Sequence, residues 1–147
     1  FLVRNDAWKH HVDSHIDIIQ GYLANTDKCS IRIRVSGTRA DLNIKSMTID
    51  ISRTEYEYPI PYDEAQTMLK QLCVQPLIRK TRYFVTVGRH TWEIDEFEGE
   101  NAGLIIAELE LEHPETDFDR PDWLGEEVSQ DPRYFNICLV EHPYCDW

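Results

Sequence analysis

Along most of the chain, apolar and polar residues alternate with a period of two, which is the pattern of a β-strand with one buried face. The predicted strands are residues 16–24, 29–36, 40–47, 53–60, 78–87, 90–98 and 103–112. NTDK and SGTR are turn-like joints between the first three strands, and VGRH has the form of a tight hairpin. The pattern therefore predicts many antiparallel strands.

The stretch at residues 62–73 breaks the alternation and predicts a helix. Its apolar residues recur at helical spacing, at Ala65, Met68, Leu69 and Leu72. Asp63 is placed to cap the start of this helix. A weaker short helix is predicted at DAWKHHV, and residues 120–139 are predicted to form turns and short helices. The fold class is therefore mainly β (α+β), a barrel or sandwich of antiparallel strands with a few helices.

The charged residues of each predicted strand share a face, because residues two apart point the same way. In SIRIRVSG, Arg32 and Arg34 lie opposite the apolar face of Ile31, Ile33 and Val35. The other sets that share a face are Asn43 with Lys45, Arg53 with Glu55 and Glu57, Lys80 with Arg82, Glu93 with Asp95, and Glu108 with Glu110 and Glu112. These faces either meet water, as in an ordinary half-buried sheet, or line the interior of a closed barrel covered by helices.

Composition narrows the class of protein. The chain has 147 residues, which favours one domain. It carries 27 acidic residues against 15 Lys and Arg, a net charge of −12, which argues against a general nucleic-acid binder. No apolar run approaches the length that spans a membrane. The four cysteines form no C-x-x-C pair, so we expect reduced thiols in a cytoplasmic protein.

The charges are also sorted, with basic residues on some strands and acidic pairs on others. Burying so many charges inside a barrel is costly unless they are paired or bind a ligand. A phosphate chain with divalent cations meets that condition, since Arg and Lys bind phosphate oxygens and carboxylates bind a hard cation such as Mg²⁺. This arrangement predicts a phosphate chain inside a tunnel.

The motifs IRIR, LNIK, RTEYE, KTRY, WEID, AELELE and GEEVSQDPRY, in this order, resemble the CYTH superfamily, the triphosphate tunnel metalloenzymes. The resemblance covers nearly the whole chain and is strongest to the short bacterial members that hydrolyse inorganic triphosphate. It implies a single domain over residues 1–147, folded as a closed eight-stranded antiparallel barrel around a tunnel. It also implies a small-molecule triphosphate substrate, Mg²⁺ or Mn²⁺ as cofactor, and a monomer or homodimer with no nucleic-acid or membrane partner.

The same resemblance assigns site residues. The triphosphate would be bound by Arg32, Arg34, Lys45, Lys80 and Arg82, with Arg133 adding a contact from the tail. The metal would be held by Glu110, Glu108 and Asp95, of which Glu110 is the strongest candidate and Asp95 the weakest. Glu55 and Glu57 would orient the basic residues or assist the metal, Lys80 would also act in catalysis, and Tyr22 would help to close the tunnel mouth.

The start of the chain departs from the family pattern. The family has an acidic strand, E-x-E-x-K, just before an apolar FLV, and its two glutamates are metal ligands. This chain begins with FLV, so we expect that strand to be missing from the sequence or the protein to be inactive.

Three alternative functions stay open. The first is a different enzyme on the same fold, either a class IV-type adenylyl cyclase or a thiamine triphosphatase. A barrel with the basic residues but an incomplete metal site would bind polyphosphate or nucleoside triphosphates without turnover. An ordinary barrel or sandwich would carry the same charges on its outside.

Overall fold

The computed structural model describes residues 1–47 and 54–147. The strands of the described residues are β1 Val12–Asn25, β2 Cys29–Ser36, β3 Arg39–Ser46, β4 Glu55–Pro59, β5 Ile78–Val87, β6 His90–Phe97 and β7 Ile105–Glu108. The α-helices are α1 Tyr62–Gln71 and α2 Asn136–Glu141, and short 3-10 helices lie at Asp6–His11, Gly99–Asn101, Pro132–Tyr134 and Tyr144–Asp146. No described helix is long and apolar enough to cross a membrane.

The strands follow the order β4-β3-β2-β1-β5-β6-β7. The predicted class, mainly β with antiparallel pairing and few helices, is therefore confirmed. Because β4 and β7 are the two ends of this order, the described strands do not close a barrel of eight, and that closure stays a prediction. The chain divides into two compact units, and we call Asp17–Arg79 the helix-covered unit and Phe1–Ile16 with Lys80–Trp147 the tryptophan unit. The expectation of one domain also stays a prediction.

In the helix-covered unit, α1 packs on the apolar face of β2 and β3. Ala65 and Leu69 of the helix are buried in a cluster with Ile33, Val35, Ala40 and Cys73. The helix begins one residue before Asp63, with Pro61 at its N-cap and no side chain capping it, so the predicted cap was wrong. The chain enters the helix directly from β4 through Ile60 and Pro61, which places Asp63 within the first turn.

The tryptophan unit is built on β5, β6 and β7. Trp8, Val85, Trp92, Ile94, Ala107, Trp123 and Leu124 form its buried core. The Trp92 and Trp123 rings meet edge to face with their centroids 5.5 Å apart, so both rings pack in this core. Val87 pairs with His90 across a two-residue turn, and Gly88 supplies the positive φ of 61° that its first position requires.

The predicted strand at residues 103–112 was too long, since β7 covers only Ile105–Glu108. Gly103 has a φ of 94° in the preceding turn, which is incompatible with a strand. Beyond Glu108, Leu109 is half-buried against the tryptophan core while Glu110 and Glu112 are exposed. At residues 109–112 the alternation reflects which side chains are buried, although these residues are not part of β7. Glu110 and Glu112 therefore do not share a strand face with Glu108.

Candidate functional site

The polar face of the helix-covered unit carries the first group of predicted site residues. The strand register aligns Gln20 with Arg34 and Asp41, Tyr22 with Arg32, Asn43 and Glu57, and Lys45 with Ser30 and Glu55. All of these residues lie on one face because each strand alternates with a period of two. We call this set the arginine face, and it lies opposite the apolar face that α1 covers. Arg53, predicted on the same face, lies outside the described residues.

Neutral amides contact both arginines at Nε. The Arg34 Nε donates to Gln20 Oε1 at 3.1 Å, and the Arg32 Nε donates to Asn43 Oδ1 at 3.5 Å. Gln20 and Asn43 are both buried, with exposures of 0% and 3%. Within the described ranges, Arg32 has no carboxylate at ion-pair distance. An amide orients a guanidinium without neutralising it, so the Arg32 charge is kept for an anion.

Asp41 and Glu57 of this unit contact a further arginine, Arg39. Arg39 donates to Asp41 and to Glu57 Oε1, each at 3.2 Å. Glu55 and Glu57 are exposed on β4, and Lys45 is half-buried at the end of β3. Glu57 thus contacts Arg39, which is not one of the predicted phosphate-binding residues, and the orienting role of Glu55 and Glu57 stays a prediction.

The tryptophan unit contains a second group, in which one buried carboxylate binds two cations. The Lys80 Nζ donates to Asp95 Oδ2 at 2.5 Å. The Arg82 Nε and Nη2 donate to the two Asp95 oxygens at 2.7 and 2.8 Å. Arg82 also pairs with Glu93, and its Nη2 lies 3.5 Å from Glu108 Oε2. We call Lys80, Arg82, Glu93, Asp95 and Glu108 the Asp95 cluster.

Burial and charge together set the protonation states of this cluster. Burial alone would raise the pKa of Asp95, but the hydrogen bonds and charges of Arg82 and Lys80 lower it below its usual value. Burial would lower the pKa of Arg82, and its carboxylate partners raise it instead. The pKa of Lys80 is lowered because burial outweighs the attraction of Asp95. The lowered pKa of Asp95 and the raised pKa of Arg82 both favour the charged forms of this pair.

The model of the CYTH domain matches residues 1–139. The chain belongs to the CYTH family. An inorganic triphosphatase of Acetivibrio thermocellus is 45% identical over 144 residues, covering 98% of this chain and 92% of the relative. An inorganic triphosphatase of Nitrosomonas europaea is 34% identical over 129 residues, covering 85% of this chain and 84% of the relative. The crystal structure of the inorganic triphosphatase NE1496 superposes with a TM-score of 0.70 at 29% identity, covering 95% of this chain and 90% of that one.

Of the acidic residues predicted for the CYTH metal site, Asp95 and Glu108 both lie in the Asp95 cluster, and Glu110 does not. Both oxygens of Asp95 are occupied by Lys80 and Arg82, and Glu110 is exposed beyond the end of β7. No group of three or more His, Cys, Asp or Glu residues in the described part of the chain is arranged to hold a metal ion. Glu108, however, lies directly across from Glu93 on the face that also carries Asp95. Mg²⁺ at phosphate sites commonly uses one or two carboxylates together with water and substrate oxygens, and Glu93 and Glu108, which both also contact Arg82, are the carboxylates of this face that would supply them.

Tyr22 and Arg133 have partners of their own. Tyr22 is 6% exposed and lies beside Arg32 in the strand register. Arg133 is exposed, donates to Asp131 Oδ2 at 2.6 Å and stacks on Tyr134 and Trp147. The predicted closure of the tunnel mouth by Tyr22 and the predicted triphosphate contact of Arg133 stay predictions.

Four polar residues that contact the predicted site residues were not themselves chosen from the sequence: Gln20, Asn43, Glu93 and Asn136. Glu93 had a signal, because it shares a face with Asp95. Gln20 and Asn43 are neutral, and only the strand register shows that they contact arginines. Asn136, whose Oδ1 lies 3.5 Å from Lys80 Nζ, is 56 residues away in the chain and had no signal at all.

Proposed function

We propose that this chain is a metal-dependent phosphohydrolase that converts inorganic triphosphate to pyrophosphate and phosphate. The observation that carries the proposal is the 45% identity to an inorganic triphosphatase over nearly the full length of both proteins. The buried Asp95 cluster and the arginine face supply the cations that such a substrate requires. The closed eight-stranded barrel with its tunnel belongs to the same proposal.

Each basic residue would bind phosphate with those of its N–H groups that do not already donate to other residues of the protein. An ammonium has three donors, and Lys80 uses them toward Asp95 and, more weakly, Asn136, so one remains for a phosphate oxygen. Arg82 directs most of its five N–H groups to Asp95, Glu93 and Glu108, and we assign it mainly to holding those carboxylates. Arg32, Arg34 and Lys45 contribute the cations of the arginine face.

This arrangement stabilises developing charge and needs no covalent intermediate. Fixed cations hold the phosphate oxygens and neutralise the charge that moves to the leaving group, while a water molecule attacks the terminal phosphorus. The carboxylates of Glu108 and Glu93 would hold Mg²⁺ or Mn²⁺, which supplies charge neutralisation and lowers the pKa of a bound water. Asp95 fixes the positions of Lys80 and Arg82. We also propose that the protein acts in the cytoplasm, where its four free cysteines stay reduced.

A second candidate is binding without turnover, as expected of a polyphosphate- or nucleotide-binding barrel. The observation in its favour is that the described residues contain no cluster of three metal-binding side chains.

The experiment that separates these functions is phosphate release from triphosphate, ATP and thiamine triphosphate, measured with and without Mg²⁺ and Mn²⁺, on protein expressed from the complete gene. We expect release from triphosphate to be fastest and to require the metal. Faster release from thiamine triphosphate, or cyclic product from ATP, would favour one of the other activities known on this fold. Thermal stabilisation by triphosphate without any release would favour the binding protein.

A further inference from the structure

Gln20 carries an unsatisfied polar group at the centre of the arginine face. The residue is fully buried in β1, and its Oε1 accepts the hydrogen bond from Arg34 Nε at 3.1 Å. Its Nε2 is also buried and has no hydrogen-bond partner among the described residues. Burying an amide NH₂ without an acceptor destabilises a protein, so such a group needs an explanation.

The orientation of this amide is fixed by its neighbour. A guanidinium has donors and no acceptor, so only the oxygen of Gln20 can face Arg34 Nε. Rotating the amide by half a turn would place two donors against each other. The NH₂ group is therefore directed away from Arg34 and toward an acceptor that the described residues do not supply.

The surroundings indicate what kind of acceptor would complete the site. In the described part of the chain, two other buried side-chain groups lack partners, the indole Nε1 atoms of Trp8 and Trp92, and both lie in the apolar core of the tryptophan unit. Gln20 lies instead in register with Arg34, one row from Arg32, on a polar face. A ligand that suits two guanidinium groups and an amide donor accepts hydrogen bonds and carries negative charge, as phosphate oxygens do.

We propose that Gln20 contacts the substrate and positions Arg34: its Oε1 holds the arginine, and its Nε2 donates to an oxygen of the triphosphate. This inference rests on the proposed function. A carboxylate at this position would hold Arg34 equally well, but it would neutralise the arginine and repel the phosphate. An amide provides the orientation and adds a donor, which explains why a neutral residue occupies a fully buried position beside an arginine.

Gln20→Glu tests the proposal, because it keeps the shape and the Arg34 contact while replacing the NH₂ donor by a charged oxygen. We expect KM for triphosphate to rise at least tenfold, and kcat to change much less. We also expect the melting temperature without ligand to be kept or raised, since Arg34 gains a charged partner, and the stabilisation by added triphosphate to shrink. Gln71→Glu is the matched control, because it adds the same charge at the exposed end of α1, and it should leave KM within twofold of wild type.

A purely structural role for Gln20 predicts the opposite result, in which Gln20→Glu retains the wild-type KM and the full thermal shift with triphosphate. That result would overturn the inference while leaving the proposed function intact. If Gln20→Glu does not fold, Gln20→Met replaces it, with the same expected rise in KM because the donor is lost without adding charge. A wild-type protein that neither releases phosphate from triphosphate nor is stabilised by it would instead overturn the proposed function, and this inference with it.

Discussion

At the residue scale, Asp95 determines how the second group of site residues is organised. Its carboxylate is 0% exposed and accepts hydrogen bonds from both Lys80 and Arg82. A buried charge of this kind is tolerated because it is fully paired, and removing one partner leaves the others uncompensated. Asp95 thus contributes mainly by fixing two cations, and its predicted role as a metal ligand competes with this one.

We predict that Asp95→Asn destabilises the protein by about 3 kcal/mol or more at neutral pH, because buried Lys80 loses its carboxylate partner and Arg82 loses the most buried of its three. Folding lowers the pKa of Asp95, so the ionised carboxylate contributes stability above the ordinary carboxyl pKa of about 3.9 and loses it as pH falls through the lowered value. The difference in unfolding free energy between wild type and Asp95→Asn should therefore be largest near pH 7 and shrink below about pH 4.

Urea unfolding across this pH range measures the effect, with the exposed Asp117→Asn as the control. A difference that is small at pH 7, or that grows toward acid pH, would mean that Asp95 is not held as an ion between the two cations.

Arg34 gives a second prediction at this scale. Arg34→Ala removes a charged donor whose Nε is held by Gln20, so we expect weaker interaction with triphosphate by about 2 kcal/mol or more. Arg34→Lys should rescue only part of the loss, since an ammonium cannot reproduce the planar guanidinium. KM and triphosphate-induced thermal shifts measure both variants against Arg79→Ala, which removes an exposed arginine. An Arg34→Ala protein with wild-type KM would remove this residue from the substrate site.

The paired glutamates give a third prediction. Glu108 faces Glu93 on the polar face, whereas Glu110 lies exposed beyond β7. Because a hard cation loses a charged oxygen ligand, Glu108→Gln should raise the Mg²⁺ concentration needed for half-maximal activity several-fold. Glu110→Gln should raise it less, although the sequence favoured Glu110. Phosphate release titrated against Mg²⁺ decides the order, and a larger effect in Glu110→Gln would show that the sequence-based assignment was the correct one.

At the scale of the elements, Gly21 lets β1 approach the segment after α1 closely, and this packing sets the position of the polar residues on either side of it. Gly21 lies between Gln20 and Tyr22, and its own position faces the apolar side of the strand. A methyl group there would lie 2.7 Å from both Cys73 Cβ and Leu77 Cδ2. The close approach therefore lets β1 pack on the segment that follows α1, while its neighbours point to the arginine face.

We predict that Gly21→Ala destabilises the protein by roughly 1–3 kcal/mol through overpacking. We also expect KM for triphosphate to rise, because relieving the clash requires β1 to shift and moves Gln20 with it. Denaturant unfolding and steady-state kinetics on the same preparation measure the two effects. Unchanged stability would show that the neighbouring side chains can yield without cost.

The strands that carry the arginines and lysines were predictable because strong alternation is bounded by turn residues. β2 and β5 have the predicted bounds, and each is followed by a glycine with positive φ, Gly37 and Gly88. The end of β7 was not predictable, because Leu109 continues the alternation of burial without strand pairing. Alternation reports which side chains are buried and cannot report where the chain leaves the sheet.

The sequence predicted which residues of the site share a strand face, but it did not predict which of them contact one another. The pairs Lys80 with Arg82 and Glu93 with Asp95 follow from period two alone. That Asp95 binds both cations depends on the register of β5 against β6, and that Gln20 meets Arg34 depends on the register of β1 against β2. The sequence contains no direct signal for these registers, nor for the contact between Asn136 and Lys80.

At the scale of the whole molecule, the net negative charge does not show that basic residues are concentrated on particular strand faces. The net charge is −12, yet each compact unit carries basic residues on the polar face of its strands. This distribution suits a small polyanion bound locally and opposes extended binding to nucleic acid, which needs a broad basic surface.

Phosphate release from inorganic triphosphate, with Mg²⁺ present, tests whether the protein hydrolyses triphosphate with the basic residues of both groups. Wild-type protein should form one phosphate and one pyrophosphate from each triphosphate. Arg34→Ala and Lys80→Met, one substitution in each unit, should each lower kcat/KM by about 30-fold or more because a charged phosphate donor is lost. Arg79→Ala should keep wild-type activity. The proposed triphosphatase activity would be contradicted if the wild-type protein released no phosphate. The proposed roles of Arg34 and Lys80 would be contradicted if both variants had the kcat/KM of the wild type.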